Sequence, residues 1–115
     1  MATVSEHLDR ANENQRFLDE IDQARYPGWT VTAAFYVAVH LASALLTDRG
    51  IVVDSHTDRN QALRDSFPTI WKQYHPLYDL SRQARYSCRK ITTTASEDAL
   101  RRLERITRAV ELLLP

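Results

Sequence analysis

The chain has 115 residues, enough for one domain or for a subunit that completes its core with a second copy, and too few for two independent domains. Hydrophobic residues at 43% and charged residues at 26% argue against a disordered, collagenous or low-complexity chain, and two Gly with four Pro leave few turns for an all-β sandwich. Fifteen basic and fifteen acidic residues cancel unevenly: residues 1–58 hold four Arg against nine Asp or Glu, and residues 59–115 hold eleven basic against six acidic, so the halves carry minus five and plus five. The basic half suits either a phosphate-bearing partner or a complementary face in a bundle or dimer.

In chain order the pattern predicts helices throughout. The first covers about residues 4–23: Thr3 and Glu6 fit a capping box, and Val4, Leu8, Ala11, Leu18 and Ile21 recur at helical spacing. Tyr26-Pro27-Gly28 ends or redirects it. A second helix from about Trp29 to Asp48 is apolar around nearly its whole circumference, as expected of a central helix packed on several sides or shared with a partner, and Gly50 stops it. Ile51-Val52-Val53 reads as a connector. Ser55 and Asp58 open a third helix near 56–66, and Ser66-Phe67-Pro68 breaks it. A fourth helix is expected over about 69–90, with Pro76 either kinking it or marking a fresh start. Thr94 with Glu97 is the expected cap of a last helix striped by Leu100, Leu103, Ile106, Val110 and Leu113. These elements form one domain, residues 1–115, an all-α bundle of four or five helices.

The lone Cys88 has no partner for an internal disulfide, and residues 1–18 are too polar for a signal peptide. The apolar stretch Val31–Leu46 is shorter than the ~20 residues that cross a bilayer. A cytoplasmic protein without membrane contact is expected.

Candidate chemistry concentrates in the second half. On a helix through 69–90, Trp71, His75, Tyr78, Arg82, Arg85 and Arg89 share one face, and Ile70, Tyr74, Leu77, Ser81, Ala84 and Cys88 another. Rings that stack on bases beside guanidiniums that fork onto phosphates suit single-stranded nucleic acid, whereas the plainer reading makes Trp71 and Tyr78 core and pairs the arginines with the acidic first helix. His56 and Arg59, three residues apart at a helix start, can meet a phosphate with an imidazole and a guanidinium together, or can both be solvated surface. His40 shares a face with Tyr36 and is either a proton carrier or a core imidazole bonded to Tyr or backbone, while His7 is taken as surface. The four histidines have no second ligand at i+3 or i+4 and there is no cysteine pair, so no metal and no cofactor is expected. Cys88, on the apolar face, reads as a small hydrophobe.

The run Ala34-Phe35-Tyr36-Val37-Ala38-Val39-His40-Leu41-Ala42-Ser43-Ala44-Leu45-Leu46, the opening Ser55-His56-x-x-Arg59 and the later Tyr78-Asp79-Leu80-Ser81-Arg82-Gln83-Ala84-Arg85-Tyr86 resemble the HEPN family, the higher eukaryotes and prokaryotes nucleotide-binding domains. The resemblance spans roughly residues 28–114. It implies a four- or five-helix bundle, a homodimer, and in many members a metal-independent RNase of toxin-antitoxin, CRISPR-linked or antiviral systems, with an Arg followed four to six residues later by His.

This chain departs from that motif. No His follows Arg82, Arg85 or Arg89, and Arg49 with His56 has the spacing across a Gly turn in the wrong element. Loss of such an acid-base group costs about 10² to 10⁴ in rate. The expectation is therefore a noncatalytic or degenerate dimeric module of an RNA-linked or defence system that binds RNA, a nucleotide or a partner such as a cognate antitoxin or nucleotidyltransferase-like protein. Arg59, Arg82, Arg85, Arg89, Trp71 and Tyr78 would form the binding side. Alternatives are an RNase using His56 or else His40 with Arg82, and a purely structural dimer.

Overall fold

The computed structural model, which describes residues 2–115, contains α1 (Val4–Glu20), α2 (Pro27–Asp48), α3 (His56–Ser66), α4 (Pro68–Tyr86) and α5 (Thr93–Leu113), and among the described residues no strand. Side-chain caps set three of the five starts. The Thr3 hydroxyl accepts from the Glu6 amide at 3.1 Å while the Glu6 carboxylate accepts from the Thr3 amide at 3.0 Å, which satisfies two orphan donors at once. Ser55 accepts from the Asp58 amide at 3.0 Å. At α5 the cap is Thr92, bonded to the Ala95 amide at 3.0 Å, and not Thr94. Three successive threonines offer chemically equal caps, and burial of Ile91 just before Thr92 selects the first.

The other two starts use proline at the first helical position, where its missing N–H costs nothing: α2 begins at Pro27 and α4 at Pro68. The end of α2 is a Schellman turn, in which Ile51 N–H reaches Leu46 C=O at 2.9 Å, Gly50 N–H reaches Thr47 C=O at 3.0 Å, and Gly50 takes the left-handed φ of 75°. Pro76 neither breaks nor restarts α4, which is continuous through it. The bond it forgoes belongs to the carbonyl of exposed Lys72. Helix α4 stops at Tyr86, short of Lys90, and α1 stops at Glu20.

Helix α2 is the axis of the molecule. Fourteen of its residues are buried, and α1, α5 and α4 wrap it, with the first turn of α3 against Phe35 and Ser43. By length and composition α2 would cross a membrane, since the helix is 22 residues long, but 78% of its most apolar window is buried inside the fold. One chain therefore covers its own apolar helix, and that apolarity does not call for a second copy. Apart from Pro27, Gly28 and Asp48 at its ends, the residues of α2 that keep contact with solvent are Trp29, Thr32, Tyr36, His40 and Thr47, a stripe in the open furrow between α1 and the α3–α4 pair.

Depth in this core decides the cost of truncation. Leu45 is fully buried and Leu112 is 87% exposed. In urea denaturation, Leu45→Ala is expected to lose about 2–5 kcal/mol, and Leu112→Ala to stay within about 0.5 kcal/mol of the parent.

Candidate functional site

One buried ring organises the site. Phe35 has no exposed surface, and its centroid lies 5.6 Å from His56, 5.7 Å from Tyr78 and 5.8 Å from both Tyr36 and Tyr74. These are tilted aromatic contacts in the favourable range. They draw the first turn of α3 and the middle of α4 onto α2, and they deliver two guanidiniums to the rim. His56 also meets Tyr78 at 5.8 Å.

Arg59 is held on two sides. Its Nε donates to Ser43 Oγ at 3.0 Å, and its Nη1 lies 3.1 Å from His56 Nδ1. A guanidinium has only donors, so His56 Nδ1 is the acceptor and a neutral His56 carries its proton on Nε2. Burial, then the Arg59 and Arg85 charges, lower the His56 pKa from its ordinary value.

Arg85 is held among rings. Its guanidinium carbon lies 4.9 Å from the Tyr86 centroid, 5.4 Å from Phe35 and 5.7 Å from Tyr36. Its hydrogen bonds are long: 3.3 Å to the Ser81 carbonyl, Ser81 Oγ and Tyr86 Oη, and 3.4 Å to Tyr36 Oη. Among the described residues neither Arg59 nor Arg85 has a carboxylate in ion-pair contact. The ion pairs that exist join Arg10 to Glu13, Arg49 to Asp48, Arg101 and Arg102 to Asp98, Arg108 to Glu104 and His75 to Asp79. Three of the four arginines of α5, Arg101, Arg102 and Arg108, thus find carboxylates within their own helix, whereas Arg59 and Arg85, facing the furrow, are not matched by acidic α1.

A pair of imidazoles lies on the α1 side of the furrow. His7, read as surface from sequence, is half-buried with Nδ1 3.1 Å from Nδ1 of His40, and this imidazole is the partner His40 takes in place of a Tyr or backbone group. One ring must donate and the other accept. Burial, then the His7, Arg10 and Arg59 charges, push His40 down to about 4, and burial with Arg59 lowers His7 while Glu6 opposes. No group of three metal-ligating side chains occurs among the described residues.

The remaining sequence candidates fall at different distances from this cluster. Arg82 is exposed, its guanidinium 5.9 Å from the Tyr78 centroid, on the rim. Trp71 is half-buried, stacked on His75 at 4.8 Å with Arg64 over it at 5.2 Å, and it reaches Phe35 only through Tyr74. Arg89 does not continue the α4 face, because the helix ends at Tyr86 and Ser87 is extended. It lines a separate hollow of about 710 Å³ with Arg25, Tyr26, Trp29, Arg85 and Lys90. Cys88 is exposed in the same segment and is not a core residue. Sequence reasoning missed Ser43, Ser81 and the partnership of His7. The i, i+4 spacing of Ser81 and Arg85 was the one available signal.

Tyr74 is fully buried, and its hydroxyl meets no hydrogen-bond partner. Burial pushes its pKa up to about 12, while the nearby Arg59 guanidinium acts in the opposite sense through its charge and its N–H donors, although none of them makes a hydrogen bond of good geometry to the hydroxyl. The orphan hydroxyl lies in the packing beneath the cluster.

The chain matches no protein-family model and no curated protein sequence.

Two outcomes follow from this geometry. Because both imidazoles protonate less readily folded than unfolded, the stability they confer is complete above the unfolded histidine value of about 6.5 and is lost as pH falls through it towards about 4. Thermal melts from pH 7 to 4 should show His40→Gln losing less stability than the parent over that interval; equal losses would refute the pairing. Tyr74→Phe removes a hydroxyl without a partner, so urea denaturation should show no loss, or a gain of up to about 1 kcal/mol.

Proposed function

We propose that this chain is a HEPN-like helical module, working as a homodimer in a cytoplasmic RNA-linked or defence-related system, that binds a phosphate-bearing ligand, RNA or a nucleotide, without cleaving it. The observation that carries the binding reading is the pair Arg59 and Arg85, both half-buried with no carboxylate in contact, Arg59 against Ser43 and His56 and Arg85 among aromatic rings. Taking a guanidinium out of water is costly unless its donors are used, and a phosphate uses them in pairs. Arg82 on the rim adds a further phosphate contact, and Tyr36, Tyr78 and Tyr86 supply faces for bases.

The noncleaving part rests on His56. Its Nδ1 lone pair is engaged by Arg59, and its remaining nitrogen is a donor, so the ring can give a hydrogen bond but has no free lone pair to accept a proton. The cognate partner, an antitoxin or a nucleotidyltransferase-like protein, follows from the family resemblance alone. An RNase is the second reading, favoured by the proximity of His56 to two unpaired arginines.

Labelled single-stranded RNA and a mononucleotide, each incubated with the protein and a chelator, separate these readings. Arg85→Ala is expected to weaken binding by about 10- to 100-fold, since hydrogen bonds to charged groups contribute ~1.5–3 kcal/mol. Arg82→Ala should lower the salt dependence of RNA binding by about 0.7 in log-log slope for each phosphate that the guanidinium neutralises in the parent. Intact RNA after incubation supports the binding module. Cleavage abolished by His56→Ala establishes the enzyme, and failure to bind either ligand removes both readings.

A further inference from the structure

Three large aromatic side chains stand in water where α1 hands over to α2, and neither the core nor the Arg–His cluster uses them. Trp29 is 63% exposed, Phe17 53% and Tyr26 46%. At ~200 Å² per side chain they leave on the order of 300 Å² of aromatic surface in one patch, a size an ordinary monomer also carries, so the character of its flanks decides what covers it. Tyr26 and Trp29 form a ridge shared by two hollows. On one side, a hollow of about 470 Å³ is completed by Phe17, Ile21 and the carboxylate-bearing Glu20 and Asp22. On the other, the hollow of about 710 Å³ is edged by Arg25, Arg89 and Lys90.

An apolar ridge with acid on one flank and base on the other is complementary to itself. Turning a second copy by 180° about an axis that runs along the ridge lays its basic flank over the first copy's acidic flank, and its rings against the first copy's rings. That is the requirement for a closed twofold contact, in which each residue meets its counterpart reciprocally. The charges are available for it, because none of Glu20, Asp22, Arg25, Arg89 or Lys90 takes part in an ion pair among the described residues of its own chain.

We propose that this corner is where two copies of the chain meet, with Trp29 and Tyr26 at the centre and Glu20 and Asp22 of each copy facing Arg89 and Lys90 of the other. The inference rests on the two-copy part of the proposed function and is independent of the ligand.

Light scattering at micromolar concentration tests it with exposed positions whose substitution leaves the core intact, which circular dichroism verifies. The parent is expected at twice the chain mass, and more weakly so in high salt. Glu20→Lys and Lys90→Glu should each weaken association at least 10-fold, Trp29→Ala should give the single-chain mass, and the double variant carrying both charge reversals should regain the doubled mass. A parent of single-chain mass overturns this contact and the two-copy reading together. A doubled mass that survives all three single substitutions overturns this contact and leaves the two-copy reading standing. Single reversals that break the pair without rescue in the double variant overturn the charge matching on which the contact rests.

Discussion

Burial of Phe35 is the constraint on which the rest of the site depends. Its position in the middle of α2 places one ring where α3 and α4 both approach, and the surfaces they bring to it are themselves aromatic: His56, Tyr74 and Tyr78. Each tilted ring pair is worth only about 0.5–1.5 kcal/mol beyond its buried area, yet the pairs share one partner and therefore fix the two helices jointly. The short α3 gains most from this, because its own sequence is polar and it buries only Leu63. The Phe35 contact and the Arg59–Ser43 bond together hold its first turn, and with it His56, against α2.

The same rings solve an electrostatic problem. Arg85 leaves water near the end of α4 without a carboxylate, and three ring faces within 6 Å stand in for the counter-ion. Ring quadrupoles contribute about 0.5–2 kcal/mol, less than an ionised partner in the same place, so the donors are left incompletely used at 3.3–3.4 Å. Elsewhere the chain places acids in register with its arginines, as Asp98 serves both Arg101 and Arg102. The contrast separates charge that maintains a helix surface from charge held in reserve along the furrow. It also gives the unequal halves of the sequence a physical meaning: the acidic surplus of the first 58 residues does not neutralise the basic surplus of the rest at this place.

How much of this was legible in the sequence depends on distance along the chain. The α1 and α3 caps, the Gly50 stop and the apolar character of α2 are local patterns, and they read correctly because capping and periodicity act within one or two turns. The α4 face is less local. Periodicity placed Trp71, Tyr78, Arg85 and Arg89 together, but a stripe that broad includes side chains on both sides of the helix, so Trp71 packs toward Arg64 while Arg85 turns to Tyr36. Arg89 departs from that face for a different reason: α4 ends without Gly or Pro, and no residue-level signal marked Ser87 as extended. The His7–His40 pair joins residues 33 apart on different helices, and neither position carries a pattern that points to the other. Convergence of His56, Arg59, Tyr78 and Arg85 is likewise tertiary, although each piece was visible singly.

The bond between Arg59 and His56 couples charge recognition to proton chemistry. As long as the guanidinium donates to Nδ1, the imidazole is fixed as an Nε2–H donor, and its own protonation is opposed by burial and by two nearby cations. A phosphate that drew the Arg59 fork outward would reverse each of these effects: it would return the Nδ1 lone pair to the ring, offset the positive field, and leave Ser43 to hold Nε alone. The difference between a module that only binds and one that turns over thus reduces to where Arg59 makes its second hydrogen bond once an anion arrives. A guanidinium carries five N–H groups, and here Ser43 and His56 engage two of them, so an anion meets three unused donors first and the bond to Nδ1, with the donor-only imidazole it fixes, survives binding.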